Sequence, residues 1–139
     1  MFRNVDAAST EEATKRYAAE LQVIVEEVGP AAATEETGLD RDVVETVADG
    51  DVETVAAMHT SEVAAILALT DGRDADAILA DARDELLLAM SSAVTDIERL
   101  VAGMNTDLDP KEAQAKIEGR YPMRLREYAA LRVELDTRR

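Results

Sequence analysis

The chain has no cysteine and no tryptophan, one phenylalanine and a single histidine among 139 residues. Without cysteine there can be neither a disulfide framework nor a thiolate metal site, and the redox compartment leaves no mark on the sequence. With His59 as the only histidine, a His-rich zinc site or a Cys-His nucleophile pair within one chain is excluded, and His59 reads as a loop or helix-cap residue. The glycine patterns of phosphate loops and dinucleotide sites are missing. The longest apolar runs, "VAAILAL" and "LLLAM", are too short to span a bilayer, and the opening "MFRNVDAASTEEATKR" holds no apolar core of signal-peptide length. The expected location is therefore the cytoplasm, with no membrane contact.

What is present is acid. Thirty Asp and Glu face fifteen Lys and Arg, for a formal charge of −15, and only three of the fifteen cations are Lys. Such a charge repels itself in dilute buffer, and the repulsion fades as the Debye length falls from about 10 Å at 0.1 M salt to about 3 Å at 1 M. An apolar side built mainly of Ala, Val and Leu, with Arg in excess over Lys, is typical of halophilic archaea. The Leu, Val and Ile residues fall in phase, unlike those of an acidic disordered chain, so the expectation is a folded, salt-adapted protein.

Ala, Leu, Glu and Arg predominate and alternating β-branched runs are absent, which predicts an all-α fold. Ser9, Thr10 and Glu12 read as a helix start, Tyr17, Leu21, Ile24 and Val28 follow helical spacing, and Gly29 with Pro30 ends the segment. A short helix from Ala31 to Thr37 stops at Gly38. Asp40 then caps a helix carrying Val43, Val44 and Val47 that ends near Gly50, and Thr60 or Ser61 starts another, closed by Asp71 and Gly72. Residues 1–72 thus read as a four-helix unit. In 73–139, Leu79, Leu86, Met90, Val94, Ile97, Val101 and Met104 stay in phase, as one long helix or as two with a break at "SSAVTD". Pro110 opens a helix ending at Gly119, and Leu125, Tyr128, Leu131 and Leu135 mark the last. The two units are expected to pack as one body.

The halves are alike. "TGLDRDVVETVADG" (Thr37–Gly50) and "TDLDPKEAQAKIEG" (Thr106–Gly119) keep Thr, Leu, Asp and Gly at the same offsets, and "EVAAIL" from Glu62 matches "EYAALR" from Glu127 after four extra residues in the first half. This pattern points to a degenerate internal duplication.

Gly38, Leu39, Asp40, Val44, Val47 and Gly50 stand in the order and spacing of the phage-repressor and Cro-type helix-turn-helix. This segment resembles that family, departing from it where Thr34 takes the place of a small residue. In the second half Gly103, Leu108, Asp109, Ala113 and Gly119 fit the same scheme, with Asp107 in place of the turn glycine and Ile117 one residue late. The resemblance implies two repressor-like units, with Gly50 in a left-handed cap. The segments "TGLDRDVVETVADGD", "AAILAL", "ARDELLLAM" and "IEGRYPM" also resemble a family of small uncharacterised haloarchaeal proteins, a likeness that implies a lineage and no activity.

The first recognition-like helix carries Asp40, Asp42, Glu45, Asp49 and Asp51 against Arg41 alone, a face that repels phosphate. From Pro110 to Arg139 there are eight basic and five acidic residues, against seven and twenty-five before them. Lys111, Lys116, Arg120, Arg124 and Arg126, with Gln114 able to read a base edge, form the candidate contact surface for a nucleic acid or another partner. The favoured expectation is that these cations pair with the acidic half or with a second chain, making the protein a non-catalytic interaction or regulatory module. The alternative is a DNA-binding transcriptional regulator using the C-terminal unit. No carboxylate pair stands out as acid and base, Ser91 and Ser92 lack an elbow motif, and the acidic stretch around Asp71, Asp74, Asp76, Asp81, Asp84 and Glu85 lacks calcium-loop spacing. No enzyme activity, cofactor, metal or specific small molecule is expected. Met58, Met90, Met104 and Met123 read as core fillers.

Overall fold

In the computed structural model, which describes residues 9–104 and 106–138, local capping chemistry explains most helix boundaries. Ser9 accepts from the backbone N–H of Glu12 and opens α1 (Thr10–Val28). Gly29, at φ 93°, separates it from α2 (Pro30–Thr37), whose first residue is the proline. A tight turn through Gly38 leads to α3 (Arg41–Ala48), and α5 (Thr60–Asp71) starts at His59. Asp74, Asp96 and Asp109 each accept from the backbone N–H three residues on, and so open α6 (Ala75–Ser92), α7 (Ile97–Ala102) and α8 (Pro110–Ile117). The last helix is α9 (Leu125–Thr137). The described residues are all-α. None of their helices is long and apolar enough to cross a membrane, and the opening eight residues read above lie outside the described part.

Three expectations need correction. In place of the four helices expected of the first unit, its described residues, 9–72, hold five, because α4 (Val52–Ala57) forms where Asp51 accepts from the N–H groups of both Glu53 and Thr54. Asp40 precedes α3 but makes no side-chain capping bond. Val94 does not continue the apolar face of the long segment: the break at 93–96 places it at φ 51° and leaves it 84% exposed. The other members of that phase divide. Leu86 and Val101 are buried, whereas Leu79, Met90, Ile97 and Met104 are partly covered.

One apolar core joins the two halves, running from Leu21 and Val25 through Ile66, Leu67 and Leu86 to Leu125, Leu131 and Leu135. Met58 and Met123 are buried in it, with Met90 and Met104 at its edge. Helix α1 packs on α5 and on α9, and α6 packs on the same two helices. Four helices thus form the centre, while α2, α3 and α4 pack on α1, α7 packs on α9 and α8 packs on α7.

The sequence repeat continues into hydrogen-bond geometry. Thr37 Oγ1 accepts from Leu39 N and Thr106 Oγ1 accepts from Leu108 N, both at 3.3 Å. Beyond α3 the N–H groups of Asp49, Gly50 and Asp51 bond to the carbonyls of Glu45, Val47 and Thr46. Beyond α8 those of Glu118, Gly119 and Arg120 bond to the corresponding Gln114, Lys116 and Ala115. His59 N donates to Glu62 and Arg124 N to Glu127, each at 2.8 Å. The halves meet on an antiparallel bridge between these equivalent residues: Thr60 N donates to the Met123 carbonyl at 2.7 Å and Leu125 N to the Met58 carbonyl at 2.8 Å.

Candidate functional site

The six residues singled out by charge spread over two elements and the turn between them, and most of their polar atoms are engaged within the chain. Lys111, Gln114 and Lys116 lie on α8, Arg120 in the turn after it, Arg124 immediately before α9 and Arg126 in its first turn. Lys116 Nζ sits 2.5 Å from Glu127 Oε2, with both side chains largely covered. Gln114 and Arg120 both donate to Glu118, at 3.1 and 2.6 Å, and these two bonds hold its carboxyl below the ordinary glutamate range. The Arg124 guanidinium donates to the Ala57 carbonyl at 2.7 Å, closing the last turn of α4 from the other half of the molecule. Lys111 and Arg126 are exposed and make no ion pair among the described residues.

A cleft of about 470 Å³ lies between α8, the start of α9 and the turn before α8. Lys116 and Arg126 line it, but so do Asp107, Glu112 and Glu127. Three carboxylates against two cations leave this cleft without the surplus of cations that tracks a phosphate backbone.

Periodicity also hid a second feature, on the far side of α8. Leu87 is 51% exposed and Leu88 67%, six to seven residues before the exposed Val94. Leu87, Met90 and Ile97 line an open groove of about 520 Å³ between the end of α6, the start of α7 and Gln114 of α8. The repeat explains why this groove exists. Gln22 is the α1 residue equivalent to Leu87, and its amide donates to the Ala48 carbonyl at 3.0 Å where α3 lies across α1. Gly50 rests on that same Gln22 side chain, whereas the equivalent Gly119 rests on Arg83, four residues before Leu87. Helix α3 packs directly on α1, whereas α8 packs chiefly on α7, and the end of α6 is left open.

Several polar groups are buried within the helical packing. Tyr17 of α1 and Tyr128 of α9 are almost wholly enclosed, and burial pushes both phenols well above their ordinary range, against the lowering effect of nearby Arg132. Arg132 is buried at 3.5 Å from Glu85, and the Tyr128 hydroxyl donates to the Ala82 carbonyl at 3.5 Å. In the acidic stretch Arg73 sits between Asp71, at 2.7 Å, and Asp81, at 3.5 Å, and its hydrogen bond holds the Asp71 carboxyl down. No group of three or more potential metal ligands occurs among the described residues.

A family model described as a family of unknown function, DUF5791, matches residues 13–138. No curated protein and no solved structure matches the chain.

Proposed function

Because the chain belongs to DUF5791, a family of unknown function, we propose a role from its own surface: a non-catalytic protein-interaction or regulatory module of a salt-rich cytoplasm, of haloarchaeal type. The observation that carries this reading is the exposed apolar surface at the end of α6, where Leu87, Met90 and Ile97 line one groove and Leu88 and Val94 also face solvent. Contiguous apolar surface beside polar residues is a common mark of a protein-binding face. The pairing of Lys116 with Glu127, of Arg120 with Glu118 and of Arg124 with the Ala57 carbonyl supports it further, since these cations already serve the fold.

The test is a photo-crosslinking residue placed at position 88 or at position 111 in living cells. A discrete protein adduct from either position is the expected result, and none from either would remove the reading.

A second reading, DNA binding through a C-terminal helix-turn-helix-like unit, draws on Lys111 and Arg126, which stay exposed beside α8. It predicts saturable binding of DNA fragments in about 1 M KCl, where general attraction to phosphate is screened, lost in Lys111→Ala/Arg126→Ala. On the interaction reading the folded chain binds no DNA under these conditions.

A further inference from the structure

We propose that the groove between α6 and α8 is a docking site for a short cationic amphipathic helix of another protein, a site that rests on the interaction reading and gives it an occupant. The form of the occupant follows from the repeat. At the equivalent place on α1 the chain supplies its own helix, α3, which buries Val44 and Val47 and ends on Gln22. In the second half α8 packs chiefly on α7, so the place filled by α3 in one half is an open groove in the other. A helix laid there would meet Leu87, Met90 and Ile97 with its apolar face.

The charge of the occupant follows from the rim. Asp96 and Glu98 line the groove, Gln114 is neutral, and no Lys or Arg lines it among the described residues. Asp96 holds Arg99 only loosely, at 3.9 Å, with both side chains mostly in solvent. A helix carrying Lys or Arg beside its apolar face would place cations opposite these carboxylates, while a second copy of this −15 chain brings acid to acid.

The probe is a fluorescent, amidated Leu/Lys peptide of amphipathic helical period, titrated against the full chain by anisotropy in about 1 M KCl, where the Debye length of about 3 Å leaves only close contacts. A scrambled peptide of the same composition is the control. The expected result is saturable one-to-one binding, weakened about tenfold by Leu87→Ser and measurably by Glu98→Lys. Val23→Ser, which alters an exposed apolar residue at the equivalent place of Leu88 on α1, leaves it unchanged. Leu87 and Glu98 are exposed, and circular dichroism confirms that the variants remain folded.

Equal binding of the scrambled peptide, or an equal loss in Val23→Ser, overturns the site as general adhesion to an acidic surface. A chain that sediments alone as a dimer, and returns to monomer on Leu87→Ser, gives the groove to a second copy and overturns the proposed occupant. A discrete cellular adduct from position 111 with no peptide binding at the groove keeps the interaction module and loses this site.

Discussion

Gly50 shows how much a single position can carry. It closes the end of α3 at φ 80°, and a Cβ there would meet the Gln22 side chain at 3.1 Å. Gly50→Val therefore adds a left-handed backbone penalty of about 1–2 kcal/mol to the loss of the Gln22 to Ala48 hydrogen bond. Urea unfolding should show a lower midpoint with an unchanged slope, and an unchanged midpoint would remove Gly50 from this role. The tyrosines give a pH dependence. Tyr17 and Tyr128 ionise less readily folded than unfolded, so the folded state keeps more protons as pH rises and stability falls through and above pH of about 10, by about 1.4 kcal/mol per pH unit for each tyrosine. Tyr17→Phe should roughly halve that alkaline slope, whatever it does to stability at neutral pH. The candidate cations were legible from local charge, but their fates were not. Lys116 meets Glu127 and Arg124 meets the Ala57 carbonyl only after distant segments have packed, and neither acceptor is marked in the sequence.

Among the helices, boundaries were readable where a residue's chemistry is local. Ser9, Asp74, Asp96 and Asp109 cap helices through backbone N–H groups three residues away, which a sequence can state directly. Helix α4 was not readable, since Val52–Ala57 is too short to establish a period between Asp51 and Met58. The groove was hidden for a different reason. Apolar spacing marks Leu86 and its neighbours as candidates for burial, but whether Leu87 is covered depends on whether α8 packs on α6 or on α7, and the four-residue difference between the halves does not reveal that. The joint between α6 and α7 offers an independent check. Val94 holds a positive φ at the place where the first half has Gly29, and its exposed side chain contributes little packing. Val94→Gly should thus raise stability by up to about 1 kcal/mol. A measured loss of stability would show that the valine makes contacts its exposure does not suggest.

At the scale of the whole chain, charge and core act against each other. The core spans both halves, yet the chain around it carries a formal charge of −15, and self-repulsion in dilute buffer opposes the compact state. The helical melting midpoint followed by far-UV circular dichroism should rise with KCl into the molar range as screening shortens. A midpoint indifferent to salt would defeat the salt-adapted reading. The bridge at His59 and Arg124 carries a further consequence. Its two bonds exchange equivalent partners, Thr60 to Met123 and Leu125 to Met58, so each half presents to the other the same donor and acceptor that it receives. That is the self-complementary contact of a two-fold dimer, written here within one polypeptide. The linker at Gly72 and Arg73 is then a tether between two mutually templating lobes, and cutting it would leave fragments able to find each other again by the same handshake.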